Sequence, residues 1–288
     1  MKIKPFDIDS KVLIVGLGLL GGSYAKSLSK KGFHVSAIDT RRASIDYALE
    51  NGIIQEGSDT VDKYLIEKAD VIVFALYPKV FVNWIKENQH LFSPGTFITD
   101  VTGVKQCIVE EINSILRSDV EFVAAHPMAG REVYGVENSD DRIFNGANYI
   151  VVPTPHNTKE GIDNCKKLGI YLGFARISEL SPQEHDEMIG FVSQLTHCIA
   201  VSLMTCCDNE SLVDYTGDSF RDLTRIARIN DAMWSELFML NKDALIQQMN
   251  LFISDFTELR DLIAKGQVEE LRDKMKLSTQ RRALFDRK

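Results

Sequence analysis

The chain has 288 residues, 44% of them hydrophobic and 26% charged, with 33 lysines and arginines against 41 aspartates and glutamates for a net charge of −8. A length of this order suggests two domains. The acidic balance is spread along the chain, which excludes nucleic acid as the main partner and gives no sign of a disordered acidic tail.

The first elements are the most informative. Val12-Leu13-Ile14-Val15 is a short apolar run, and Gly16, Gly18 and Gly21 follow it at GxGxxG spacing. A helix is expected over 23–31. Then Gly32-Phe33-His34-Val35-Ser36-Ala37-Ile38 reads as turn and strand, ended by Asp39, 18 positions after Gly21. This is a dinucleotide-binding signature with its context intact. Gly16 permits the tight turn, Gly18 lets backbone approach a pyrophosphate, and Gly21 lets helix and strand pack closely. The helix N-terminus at Leu19 and Leu20 offers free N–H groups to phosphates. Asp39 suits the ribose hydroxyls of NAD and repels a 2′-phosphate, so NAD is expected over NADP. Arg41 can stack on adenine or pair with a 2′-phosphate, whereas Arg42 reads as a surface charge.

Further strands are expected at Lys11–Val15, His34–Ile38, Val71–Leu76, Thr96–Asp100, Phe122–Ala125 and Tyr149–Val152, with one more at Phe174–Ile177. Strands alternating with helices imply βαβ units and a mainly parallel, doubly wound Rossmann-type sheet over residues 1–180. Leu76 and Asp100 end their strands at the edge where such a sheet meets its ligand, and both are expected at the cofactor. In Asp100-Val101-Thr102-Gly103-Val104-Lys105, the Thr102 hydroxyl can bond the cofactor or a neighbouring catalytic group; the alternative is a plain strand-to-helix turn. His126 ends the next strand in His126-Pro127-Met128-Ala129-Gly130. An imidazole there can draw off a hydroxyl proton as hydride leaves the carbon.

At Ser181-Pro182 the texture changes. Ser181, Pro182 and Glu184 form a helix start. Ile189, Val192, Leu195 and Ile199 recur at helical spacing, as do Leu245, Met249, Phe252, Phe256 and Leu259. Residues 181–288 therefore read as an all-helical substrate and dimerisation domain. Its apolar helices are too few to bury one another, so a homodimer through this domain is expected. His197 lies one helical turn from Ser193. Arg225 can clamp an acidic substrate with its guanidinium fork, or pair with Asp222 three residues before it.

Cys107, Cys165, Cys198, Cys206 and Cys207 show no CxxC and no zinc spacing, which fits reduced thiols and no metal. No apolar stretch approaches the ~20 residues that span a bilayer, and the N-terminus lacks a signal peptide's apolar core. A cytoplasmic protein without membrane partners is expected.

Taken in order, GLGLLGGSYA (16–25), DVTGVK (100–105), HPMAG (126–130), SQLTH (193–197), FRDLTRIA (220–227) and MW (233–234) resemble the prephenate/arogenate dehydrogenase (TyrA) family of tyrosine biosynthesis over nearly the whole chain. The resemblance implies oxidative decarboxylation of prephenate to 4-hydroxyphenylpyruvate with NAD. It also implies that His126 accepts a hydrogen bond from the C4 hydroxyl, that Arg225 binds a carboxylate, and that His197 lines the pocket. Trp234 and the segment from Asp218 to Asp222 would close it, in part from a second subunit. Arg131 would add a cation for a dicarboxylate, while Glu132 would favour the amino group of arogenate. One position departs from the family pattern. Gly103 stands where the family usually has a serine bonded to the catalytic histidine, and Thr102 or a water is expected to take that role. The length leaves no room for a fused mutase or a C-terminal regulatory domain, so tyrosine inhibition would act at the active site. The competing readings are another NAD(P)-dependent hydroxy-acid or imine dehydrogenase of the same architecture, disfavoured by the lack of a lysine between Gln183 and Asp208, and a non-catalytic NAD sensor.

Overall fold

The computed structural model describes residues 3–286. They form two compact units, one up to Asn241 and one from Lys242 onward.

The first unit begins with β1 (Lys11–Val15), α1 (Leu19–Lys30), β2 (His34–Ile38), α2 (Arg42–Glu50), β3 (Glu56–Ser58), α3 (Lys63–Glu67), β4 (Val71–Phe74), α4 (Pro78–Asn88), β5 (Phe97–Asp100), α5 (Gln106–Ile115) and β6 (Glu121–Phe122). The six strands make one parallel sheet in the order β3-β2-β1-β4-β5-β6. Alternate side chains explain why its central strands are apolar throughout. Val12, Ile14, Val71 and Val73 enter one core, while Leu13, Val15, Ile72 and Phe74 enter another on the opposite face. The strand order reverses between β1 and β4, and the crevice beyond their carboxyl ends is where such sheets take ligands.

A second sheet follows, built from β7 (Ala124–Met128), β8 (Asn148–Val152) and β9 (Arg176–Glu179), with α6 (Lys159–Leu172) before β9. β7 runs antiparallel to β8, and β8 parallel to β9. The single strand expected at Phe122–Ala125 is thus two. Val123 N still donates to Ile98 O, but at Ala125 the donor turns to the Asp100 carboxylate (3.1 Å), and the chain leaves the first sheet. Pro127, which lacks an N–H, is accommodated because β7 is an edge strand. The last strand starts later than expected because Gly173, at φ +94°, closes α6 and Phe174 N returns to Gly169 O. β3, which carries Gly57 and no apolar run, escaped the sequence reading.

Helices complete this unit: α7 (Pro182–Ile189), α8 (Thr196–Thr205), α9 (Leu212–Tyr215), α10 (Asp218–Thr224) and α11 (Asp231–Leu240). Ser181 and Glu184 form the expected reciprocal cap of α7. Residues Gly190–Leu195 join α7 to α8 as a π-helical turn. The combined run Pro182–Thr205 is, by length and composition, apolar enough to cross a membrane, which corrects the reading from the sequence. It carries buried His185 and Asp186, and its apolar residues Ile189, Leu195 and Ala200 are packed within the unit.

The second unit is a pair of helices, α12 (Lys242–Ala264) and α13 (Val268–Arg282). Lys274 ties them through Asp255 (2.7 Å) and Glu258 (2.8 Å). Leu251, Ile253 and Phe256 stand exposed on α12.

Candidate active site

The loop between β1 and α1 has the geometry its glycines imply. Gly16 adopts φ +98°, closed to ordinary side chains. A Cβ on Gly21 would lie 1.9 Å from Gly16 O, whereas a Cβ on Gly18 would meet nothing within 4 Å. Gly18 is therefore open to a ligand and Gly21 is needed for packing. The N-terminus of α1 has no side-chain cap, so its first N–H groups remain available to an anion. Leu76 abuts Gly16 at the mouth of β4, its Cδ2 lying 2.9 Å from where a Gly16 Cβ would stand.

Asp39 follows β2 and accepts hydrogen bonds from Leu17 N (2.7 Å) and Arg41 N (2.8 Å). Its carboxylate is thereby fixed at the crevice, in place for a ribose diol and opposed to a 2′-phosphate. Arg41 is exposed, with its Nε 3.8 Å from Asp39, and Arg42 pairs with Asp46 (2.8 Å) on the surface of α2. These residues fit NAD.

Beneath the crevice lies a buried polar cluster. Asp100, Thr102 and Lys105 are all buried, and the Lys105 ammonium sits 2.6 Å from the Asp100 carboxylate. Burial pushes the Lys105 ammonium down from the usual lysine range, opposed by Asp100. The Thr102 hydroxyl donates to Asp100, lies 3.0 Å from Val104 O and accepts from Lys105 Nζ at 3.1 Å. It makes no bond to His126, so the role expected of Thr102 at the histidine is not the one it has here.

His126 lies within β7, where its Nδ1 faces α7. Its Nδ1 is 2.9 Å from Nε2 of His185, a residue of α7 that the sequence reading missed. His185 Nδ1 is in turn 2.7 Å from Asp186. A signal for His185 was present: it lies four residues before Ile189, on the apolar stripe of its helix, where a titratable side chain needs a partner. A Cβ on Gly103 would be 4.0 Å from His126 Cε1 and 3.6 Å from Leu237, so Leu237 packs over the site where a side chain at 103 would stand. Burial, then the nearby His185 and Lys105, hold the His126 imidazole well below the ordinary histidine range.

A second group of residues meets across the helices. His197 stacks on Trp234, with ring centroids 3.7 Å apart, and its Nδ1 donates to Ser193 O at 2.8 Å. Burial keeps the His197 imidazole below its usual range, with Glu132 pulling it up and Arg225 pushing it down. Arg225 pairs with Glu132 at 2.8 Å rather than with Asp222, which is exposed on α10. Arg131 donates to Asn138 O (2.8 Å) and lines a charged cavity of about 490 Å³ with Lys26, Lys30 and Arg142. It shares no bond with His126, His197 or Arg225.

An α/β sheet with an open glycine loop, an acid for the ribose and a histidine beyond the same strand ends defines an NAD-dependent oxidoreductase. The family model for the nucleotide-binding domain of prephenate dehydrogenase matches residues 24–173, and that for its dimerization domain matches 181–277. The prephenate dehydrogenase of Bacillus subtilis is 31% identical over 90% of this chain and 72% of its own length. That of Lactococcus lactis is 29% identical over 88% and 72%. A crystal structure of prephenate dehydrogenase from Aquifex aeolicus in complex with hydroxyphenyl propionate and NAD+ superposes with a TM-score of 0.88 at 31% identity, covering 98% of this chain and 100% of that one. The chain belongs to the prephenate dehydrogenase family.

Proposed function

We propose that this chain converts prephenate to 4-hydroxyphenylpyruvate and CO2, with His126 as the proton acceptor and Arg225 as the clamp for a substrate carboxylate. The observation that carries this reading is His126 itself. Its Nδ1 is engaged by His185, which leaves Nε2 to meet a substrate hydroxyl at the carboxyl edge of the sheet.

When bound, NAD supplies the hydride acceptor. Gly16, Gly18 and the first N–H groups of α1 would hold its pyrophosphate and Asp39 its ribose. His126 Nε2 takes the C4 hydroxyl proton, and its depressed basicity keeps the ring neutral and ready to accept at neutral pH. Arg225 presents a planar fork suited to bidentate binding of a carboxylate, exchanging Glu132 for the substrate. Trp234 stacked on His197 walls the same region. Loss of the ring carboxylate yields an aromatic ring, so the residues need only orient substrate, accept one proton and neutralise carboxylates. Glu132 beside Arg225 also gives a carboxylate that would suit the amino group of arogenate, the alternative substrate. Residues 181–288 serve as the substrate and dimerisation domain, and the exposed apolar residues of α12 support a homodimer. We assign the protein to the cytoplasm.

The test is NADH formation with NAD and either prephenate or arogenate. The expected result is turnover of prephenate that falls by about 10²–10⁴-fold in His126→Asn while NAD binding is kept. Absence of turnover with both substrates, NAD still binding, would sink the assignment.

A further inference from the structure

His126 can serve as a base through Nε2 only if the proton of its neutral ring resides on Nδ1. In a neutral imidazole one nitrogen donates and the other accepts. The bonds behind His126 decide which.

They start at the N-terminus of α5. Lys105 N donates to Asp186 Oδ1 (2.8 Å) and Gln106 N to Asp186 Oδ2 (2.9 Å). Backbone N–H groups only donate, so both carboxylate oxygens accept, and Asp186 presents lone pairs to His185. Asn241 Nδ2 bonds the Asp186 carbonyl at 2.9 Å and Gln194 Oε1 at 2.8 Å, which fixes this part of α7 against the π turn. His185, fully buried, sets its Nδ1 at 2.7 Å from Asp186 Oδ1. That nitrogen must carry the proton. Burial holds the His185 imidazole below its ordinary range, against the upward pull of Asp186 and with Lys105 pushing the same way as burial, so the ring is neutral. Its Nε2 is then an acceptor, 2.9 Å from His126 Nδ1. His126 Nδ1 must donate, and Nε2 is left with a bare lone pair.

We propose that the His185–Asp186 pair is a positioning dyad that locks His126 in its Nδ1–H tautomer and so presents Nε2 as the proton acceptor. The catalytic consequence rests on His126 being the base assigned above; the tautomer itself does not. Orienting partners of this kind recur where a histidine's second nitrogen must be held in one state. Free histidine favours the opposite tautomer, so the dyad reverses an intrinsic preference.

The experiment has a spectroscopic arm and a kinetic arm. NMR of the wild-type chain with nitrogen-labelled histidines, the His126 signals identified by their loss in His126→Asn, reads the tautomer without turnover. A proton on Nδ1 is expected; a proton on Nε2, or exchange between the two, overturns the proposal. In the kinetic arm, Asp186→Asn sets an amide NH2 against one of the two backbone N–H donors and weakens the acceptor that orients His185. His185→Leu removes the acceptor, whereas His185→Gln keeps an oxygen near the position of Nε2. Asp186→Asn and His185→Leu are expected to lower kcat about 10²-fold with KM for NAD and substrate unchanged, and His185→Gln to recover most of that loss. Equal losses in Leu and Gln, or a loss confined to KM, overturn it. Variants that fail to fold leave the wild-type spectrum to decide. An Nδ1–H signal in a protein that turns over neither substrate would remove the substrate assignment and leave the dyad standing.

Discussion

His126 shows how far the surroundings of one side chain move it from its solution chemistry. A free imidazole titrates near pH ~6.5, but burial, His185 and Lys105 depress this one, with Asp100 and Asp186 lying behind those two neighbours. A base works in its neutral form, so activity is present above the folded-state value and lost as pH falls through it. The acid limb of kcat/KM is therefore expected below pH ~6.5, the ordinary histidine value; a limb above it would contradict the depression. Stability carries the same sign. His126, His185 and His197 are all held low, so the unfolded chain takes up protons first as pH falls below ~6.5, and the fold weakens with it. The steepest loss that one such histidine can cause is about 1.4 kcal/mol for a drop of one in pH. The melting temperature measured against pH should fall there, and less steeply in His126→Asn. Arg225 gives a second check. Arg225→Lys keeps the charge and loses the fork, so KM for the substrate should rise about 10-fold while kcat changes little, from the loss of roughly 1.4 kcal/mol of bidentate bonding.

At the scale of an element, the loop between β1 and α1 separates folding from binding. Gly21 sits against Gly16 O, and Gly21→Ala would drive a methyl into backbone at 1.9 Å. That variant should be destabilised by several kcal/mol, of the order of 3 or more, in urea unfolding. Gly18 has φ −77° and open space around its missing Cβ, so Gly18→Ala should unfold within about 0.5 kcal/mol of the wild type. It should nonetheless weaken NAD binding by at least about 10-fold, because the backbone must approach the pyrophosphate. A Gly18→Ala protein with unchanged NAD affinity would remove the loop from the cofactor site. The π turn between α7 and α8 is the other decisive element. On an ideal α-helix, 12 residues leave His185 and His197 about 120° apart. The wider winding of Gly190–Leu195 reduces that offset and brings both rings toward one face. Nothing in Gly190-Phe191-Val192-Ser193-Gln194-Leu195 announces it as a sequence, since the same spacing reads as a plain amphipathic helix.

For the whole molecule, the helical pair from Lys242 onward poses the question of assembly. Leu251, Phe252, Ile253, Phe256 and Ile263 are exposed on α12, apolar surface of the kind that marks an interface. Sedimentation of the wild type should give a dimer, and Ile253→Asp with Phe256→Asp should shift it toward the monomer; a double variant that stays dimeric would move the interface elsewhere. The sequence by itself determined the parallel sheet, the glycine loop, Asp39, the helical second half and the prominence of His126. Each of these is written in local period, turn chemistry or short-range spacing, which a chain carries before it folds. Only the tertiary structure decided the partners. It gave His126 a histidine 59 positions away, joined Arg225 to Glu132 across 93 positions, and turned Thr102 inward to Asp100 and Lys105. Those choices depend on which buried polar groups meet when separate elements pack, since each must find a partner out of reach of water.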